Sequence, residues 1–345
     1  MAYDLSDLAA LKLAGFDTII DVRSPSEFAE DHLPGAINLP VLSDEERARV
    51  GTVYVRESPF LARKIGAALV ARNAALHLEG PLRQMERGWR PLIYCWRGGQ
   101  RSGSFASILS QVGWRVETLA GGYQSYRRLV VERLYALDFP CPVVLLDGNT
   151  GTAKTDVIRR LPALRIQAID LEGLANHRGS ALGGLGEQPG QKAFESALAA
   201  QVEALEPGRP VVLEAESSRI GRLNLPPSIL AAMKTARRIE ISAPIDVRAE
   251  YLCRAYSDMI LDVPALSERL SRLVRLQGRE LVQAWIALAE AGDFQALAAD
   301  LIRAHYDPRY AKVRRRQETV TVAVEAERLD EHGITEMTAK VAALV

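Results

Sequence analysis

Cys95 ends the apolar run Leu92-Ile93-Tyr94 and is followed by Trp96, Arg97, Gly98, Gly99, Gln100, Arg101 and Ser102. A strand that delivers a cysteine into a glycine-rich turn, with a helical stretch from Ser102 to Val112 behind it, aims backbone N–H groups at one point. With Arg97 and Arg101 alongside, that setting lowers a thiol pKa from its free value of about 8.5 and makes the thiolate a nucleophile. A buried, inert cysteine is the alternative reading, yet it has no use for two arginines and two glycines directly after it. The spacing Cys95-x5-Arg101-Ser102 also fits a cysteine phosphatase, whose thiolate attacks phosphorus while the arginine clamps the oxygens. Loop size does not separate these chemistries.

A second constellation follows the apolar strand Val143–Asp147. Gly148-Asn149-Thr150-Gly151-Thr152-Ala153-Lys154-Thr155 is close to the phosphate-binding pattern G-x-x-x-x-G-K-[ST]. Its amides would cradle a diphosphate, Lys154 would neutralise it and Thr155 would reach a magnesium ion. Ala153 stands where glycine is usual, which is tolerable if it keeps a negative φ and its methyl clears the ligand. Further strands end in Asp170-Leu171-Glu172, followed by His177-Arg178-Gly179-Ser180, and in Glu214-Ala215-Glu216-Ser217-Ser218-Arg219. Carboxylates at the C-terminal ends of parallel strands face the ligand crevice, so Glu214 and Glu216 are candidates to hold magnesium, with salt-bridged strand-end acids as the alternative. His177 and Arg178 suit a phosphate but also an ordinary surface.

The elements that must position these loops read as α/β. Phe16–Val22 is a buried strand. Ser24-Pro25-Ser26-Glu27 gives an N-cap, a first-turn proline and a capping-box glutamate. His32-Leu33-Pro34-Gly35-Ala36 is turn chemistry before the apolar Ile37-Asn38-Leu39. A helix fills much of 59–86, and strand 91–94, helix 102–112 and strand 115–119 continue the βαβ pattern to Gly121-Gly122-Tyr123. Tyr126–Leu137 reads as a connecting helix, Pro140-Cys141-Pro142 as a boundary, and the chain from about Ala249 as helical, with a β-like run over 319–324 and a closing helix. Arg269, Arg272, Arg275 and Arg279 fall along one side of a helix. Arg309, Lys312, Arg314, Arg315 and Arg316 form a denser run. These are candidate phosphate-backbone patches or plain solvated faces.

Composition bounds the rest. With 345 residues and 48% hydrophobic content, two domains with sizeable cores are expected, at 1–135 and 136–345. Lys+Arg and Asp+Glu are equal at 43 each, so any nucleic-acid surface is local rather than a global basic field. Three cysteines, Cys95, Cys141 and Cys253, show neither metal-site nor disulfide spacing, which suits a reducing, cytoplasmic setting. No signal peptide or membrane span of about eighteen apolar residues is expected.

Asp21-Val22-Arg23-Ser24-Pro25-x-Glu27-Phe28, His32-x-Pro34-Gly35-Ala36-x-Asn38, the cysteine loop and Leu119-x-Gly121-Gly122-Tyr123 together resemble a rhodanese domain, in which the cysteine carries a persulfide or related chalcogen. Arg23 would then pair with a nearby carboxylate or loop group, and His32 reads as structural rather than catalytic. Fusion to a phosphate-binding α/β domain with a helical extension, together with the Asp170, His177-Arg178 and Glu214-x-Glu216-Ser217-x-Arg219 motifs, resembles the tRNA 2-selenouridine synthase family over nearly the whole chain. That resemblance implies replacement of sulfur by selenium in wobble 2-thiouridine, through an S-geranyl intermediate, with geranyl diphosphate and selenophosphate as co-substrates and magnesium as a possible aid. It assigns Cys95, Arg97, Arg101 and Lys154 to catalysis, Trp96, Gly98, Gly99, Gln100 and Ser102 to the selenophosphate loop, and Gly148–Thr155 to the diphosphate. Asp170, His177, Arg178, Glu214, Glu216 and Arg219 support them, and the basic helices hold the tRNA. A selenophosphate-supplying enzyme is an implied partner. The alternatives are a phosphatase, a nucleotide-driven sulfurtransferase and a noncatalytic RNA-binding adaptor.

Overall fold

The computed structural model describes residues 2–179, 184, 186–314 and 321–345. The chain divides into two compact units, Met1–Asp138 with Pro189–Ala204, and Phe139–Gln188 with Leu205–Val345.

In the first unit five short strands form one parallel sheet: β1 (Ala2–Tyr3), β2 (Thr18–Asp21), β3 (Ala36–Asn38), β4 (Pro91–Tyr94) and β5 (Glu117–Leu119), in the order β1-β5-β4-β2-β3. The central strand β4 is buried at all four positions, the continuous apolar run that a parallel sheet covered on both faces requires. Ile20, Val22, Ile93, Phe105 and Leu109 form the core on one side, where Trp89 meets Trp114 edge to face. The stretch expected as one helix from residue 59 is Pro59–Glu79, preceded by a separate helix Asp44–Arg56 that Ser43 caps. The helix after Cys95 begins at Gln100, two residues earlier than expected.

The boundary expected at 135/136 is displaced in one respect. Helix Gln191–Glu203 interrupts the second unit in sequence but belongs to the first. Phe194, Leu198 and Val202, spaced at helical i, i+4 intervals, are buried on its inner face. Glu195 accepts from Tyr135 Oη at 2.6 Å and pairs with Arg127, while Ser196 Oγ donates to Asp31 at 2.8 Å.

The second unit carries another parallel sheet, β6 (Val143–Gly148), β7 (Gln167–Ile169), β8 (Val211–Glu214), β11 (Arg237–Ser242) and β12 (Thr321–Glu325), in the order β12-β11-β6-β8-β7. A hairpin, β9 (Arg219–Ile220) with β10 (Leu223–Asn224), stands outside it. β6 and β8 are wholly buried. The helical extension has its own core of Leu266, Leu270, Trp285, Leu301 and Tyr306. Among the described residues no helix is long and apolar enough to cross a membrane.

Candidate active sites

In the first unit, Cys95 lies at the C-terminal end of β4, 3% exposed, with the backbone N–H of Gly99 donating to Sγ at 3.3 Å and Ser102 Oγ donating at 3.2 Å. Burial by itself raises a thiol pKa. Here the hydrogen bonds from Ser102 and Gly99 and the nearby charge of Arg101 outweigh it and hold Cys95 below its ordinary value. Gly121 and Gly122 form the other side of the cradle: Tyr123 N–H donates to the Cys95 carbonyl at 2.8 Å and Gln124 N–H to that of Trp96 at 3.1 Å. A Cβ on Gly122, whose φ is +60°, would run into the Cys95 carbonyl and the Gly98 amide, so only glycine lets these two turns nest.

Arg101 is aimed by a residue far away in sequence. Its NH1 donates to Glu27 Oε2 at 2.7 Å, and Arg47 reaches the same oxygen at 2.9 Å. Glu27 is also the capping-box glutamate of helix Pro25–Glu30, as expected, receiving the Ser24 N–H at 3.2 Å. One carboxylate thus closes a helix end and positions the arginine of the loop. Arg97 instead points along the surface to Gln124, at 3.2 Å. Arg23 is buried, forks onto Asp21 and stacks over Tyr123 at 4.1 Å. His32 Nδ1 donates to the Phe28 carbonyl at 2.9 Å and the ring stacks on that of Phe28, in keeping with its structural reading.

In the second unit β6 ends at Gly148, and the loop Asn149–Ala153 turns into helix Lys154–Arg160. Ala153 corrects an expectation: its φ is +58°, left-handed rather than negative. The methyl is buried among Val144, Leu146 and Val157, and that burial offsets part of the conformational cost of about 1–2 kcal/mol. Lys154 Nζ donates to the Gly148 carbonyl at 2.6 Å, and Thr155 Oγ1 to Glu172 Oε2 at 2.9 Å. A cavity opens here, lined by Thr150 to Asp156 together with Arg159, Glu172, His177, Arg178 and Tyr256, among others. Arg178 pairs with Asp258 at 2.8 Å and stacks over Tyr256. His177 Nδ1 accepts from Gly179 N–H at 3.0 Å, and burial pushes its pKa down, which favours the neutral ring.

Glu214 is fully buried, its Oε2 accepting from Leu171 N–H at 2.9 Å and its Oε1 without a partner among the described residues. Burial first, then Glu172 and Asp170, push its pKa well up. Burial and Glu172 likewise push Glu216 up to about 8. Glu172 and Glu216 both crowd Gly179, where a side chain would strike their carboxyl oxygens. Of the three glutamates it is Glu172 that lines the cavity. Asp170 caps the short helix Leu171–Leu174 and pairs with Arg159 at 2.5 Å. Arg219 is exposed, in β9. Among the described residues no group of three or more His, Cys, Asp or Glu stands ready to hold a metal. A magnesium ion that keeps water and phosphate ligands needs only one or two protein oxygens, and Thr155 with Glu172 fits that demand.

The loop is braced by residues that sequence reasoning passed over. Arg248, 4% exposed, donates from Nε and NH2 to the Thr150 carbonyl at 3.0 and 2.8 Å and pairs with Asp307 at 2.7 Å. Asp307 also accepts from Asn149 Nδ2 at 2.8 Å. Neither residue has a motif to announce it; Glu172 did, in the strand-end Asp170-Leu171-Glu172.

The basic residues do not form the single helical stripe that their spacing suggested. Arg269 lies on helix Val263–Ser271, Arg275 on Val274–Gln277 and Arg279 at the start of Arg279–Glu290, after Gly278 at φ +86°. Arg272 pairs with Glu268 at 2.8 Å and Arg269 donates to the Gly184 carbonyl at 3.4 Å. Arg275, Arg279, Arg309 and Lys312 are exposed. Arg314 ends helix Asp307–Arg314; Arg315 and Arg316 lie outside the described residues.

Two family models match the chain, a rhodanese-like domain over residues 4–129 and a tRNA 2-selenouridine synthase AAA domain over 141–268. The tRNA 2-selenouridine synthase of Hahella chejuensis is 33% identical, the match covering 89% of this chain and 88% of that one. The proteins of the same name from Nitrosomonas europaea and Aeromonas salmonicida are 32% and 35% identical, each match covering 88% of this chain and 84% and 89% of theirs. With a thiolate-stabilising loop in the first of these domains and a braced phosphate-binding loop in the second, the chain belongs to the tRNA 2-selenouridine synthase family.

Proposed function

We propose that this protein is a tRNA-modifying transferase that replaces the sulfur of 2-thiouridine in the anticodon by selenium, in two steps served by its two loops. In the first, the thiocarbonyl sulfur attacks C1 of geranyl diphosphate, the carbon–oxygen bond breaks and diphosphate departs. Loop amides of Gly148–Thr155 and the Lys154 ammonium stabilise the charge that develops on the leaving group. Magnesium, when bound at Thr155 and Glu172, adds positive charge there. Alkylation makes the sulfur a better leaving group. In the second step the selenium of selenophosphate adds at C2, geranylthiolate leaves, and hydrolysis of the selenium–phosphorus bond releases phosphate and leaves 2-selenouridine. The Cys95 loop holds the donor, with Arg101 and the turn amides near its phosphate-like group.

The observation that carries this reading is the coexistence, in one chain of this family, of a cysteine held toward thiolate and a loop suited to a diphosphate. Base chemistry of this kind needs the target nucleotide splayed from its stack, and Arg275, Arg279, Arg309 and Lys312 are the exposed cations that would hold the tRNA backbone. The chemistry suits a reducing cytoplasm and depends on an enzyme that supplies selenophosphate. The test is nucleoside mass spectrometry of 2-thiouridine tRNA incubated with the protein and magnesium. Geranyl diphosphate alone should give the S-geranyl nucleoside, and selenophosphate added to it should give 2-selenouridine. Unchanged thiouridine under both conditions contradicts the proposal.

A further inference from the structure

The second unit holds another cavity, inside the helical extension, and its wall is hydrocarbon. Met259, Leu266, Phe294, Ala298 and Leu301 line it, beside the half-buried Cys253. Thr150, Leu252 and Tyr256 line both this cavity and the larger one at the phosphate-binding loop. Leu252 stands at the junction, packed so closely on the loop that a Cβ on Gly151 would lie 3.0 Å from its Cγ.

This arrangement sets two conditions on a ligand that uses both spaces. Its head is anionic, because the cations lining the larger cavity, Lys154, Arg159, Arg160, Arg178 and Arg254, outnumber its acids, Asp156, Glu172 and Glu331. Its tail must lack hydrogen-bonding groups, because a purine or ribose placed against this wall would leave its donors and acceptors unpaired. A nucleotide meets the first condition and fails the second; a prenyl diphosphate meets both.

We infer that the cavity lined by Met259, Leu266, Phe294, Ala298 and Leu301 is the subsite for the hydrocarbon tail of the diphosphate and sets the chain length the protein accepts. The inference rests on the prenyl diphosphate reading above and deepens it. The free volume is small, about 70 Å³, so the subsite takes the far end of a short isoprenoid and rejects a longer one. Met259, unbranched and adaptable, is the side chain best able to move with the tail.

Calorimetric titration of the full chain with inorganic diphosphate, geranyl diphosphate, farnesyl diphosphate and ATP tests this, in the wild type and in Ala298→Phe and Cys253→Phe. Geranyl diphosphate should bind at least roughly tenfold more tightly than inorganic diphosphate, and farnesyl diphosphate more weakly than geranyl. Each substitution fills the cavity and should erase the geranyl advantage while affinity for inorganic diphosphate is kept. Two positions are used because Ala298 is the more deeply buried of the pair and the less tolerant of a larger side chain; retained diphosphate binding certifies whichever variant folds. Equal wild-type affinity for inorganic and geranyl diphosphate, or an advantage that survives both substitutions, overturns the subsite. Tight ATP binding with no prenyl diphosphate bound overturns instead the reading on which it rests.

Discussion

At Cys95 the strand β4 ends, the chain turns through Gly98 and Gly99, and a helix starts at Gln100. At Gly148 the strand β6 ends, the chain turns through Gly151, and a helix starts at Lys154. Both are strand–loop–helix turns that gather amides at a helix N-terminus, and both suit negative charge. They differ in whose charge it is. The first loop directs Gly99 N–H and Ser102 Oγ at its own sulfur; the second holds no acid or thiol and carries a lysine instead. The supports differ accordingly. Glycines 121 and 122 nest against the cysteine loop and fix it by backbone contact, whereas a buried arginine and an aspartate brace the phosphate loop by charge. One local architecture suits a thiolate of its own or a guest anion, depending on the side chain it presents and on what is packed behind it.

The comparison breaks first at its braces. Arg248→Ala strips the Thr150 carbonyl of two donors and leaves Asp307 partly buried without its cation, so urea denaturation should show a loss of about 3–5 kcal/mol, with Cys95 alkylation unchanged. Gly122→Ala should act on the other loop. The intruding Cβ costs about 2–3 kcal/mol through a forced left-handed alanine and displaced backbone, and it should slow Cys95 alkylation while diphosphate binding is kept. Either variant damaging both loops alike would contradict their independent support.

A finer test concerns charge on the sulfur. Because the Cys95 pKa is held below the ordinary thiol value, its alkylation rate should rise with pH through a midpoint lower than that of a free cysteine. Ser102→Ala removes the hydrogen bond that most favours the thiolate and should move that midpoint upward by about one pH unit. The phosphate loop offers the smallest effect. Ala153→Gly relieves a left-handed alanine but gives up a buried methyl, two terms of about 1 kcal/mol and opposite sign, so thermal unfolding should place the variant within about 0.5 kcal/mol of wild type.

Much of both loops was legible because their residues are consecutive: Cys95 to Ser102 and Gly148 to Thr155 carry strand, turn and helix signals in one stretch. What was not legible is pairing over distance. Glu27 read as a helix cap, and it is one, but its grip on Arg101 spans 74 residues. Arg248 and Asp307 carry no local signal for the loop they brace. Helix Gln191–Glu203 buries Phe194, Leu198 and Val202, and such periodicity says that a face is buried without saying against which unit. Strand β11 escaped notice because Arg237-Arg238-Ile239-Glu240-Ile241-Ser242 alternates instead of running apolar, although it pairs on both sides within the sheet. The arginines from Arg269 to Arg279 looked like one stripe because spacing alone does not reveal the breaks between three helices.

The central claim, that the two loops serve successive steps, is tested most directly by nucleoside mass spectrometry of 2-thiouridine tRNA treated with Cys95→Ala or Lys154→Ala in the presence of magnesium, geranyl diphosphate and selenophosphate. The account predicts that Cys95→Ala accumulates the S-geranyl nucleoside and that Lys154→Ala leaves thiouridine unmodified. If Cys95→Ala instead stops before geranylation, or Lys154→Ala still yields 2-selenouridine at the wild-type rate, the division of labour between the two loops is wrong.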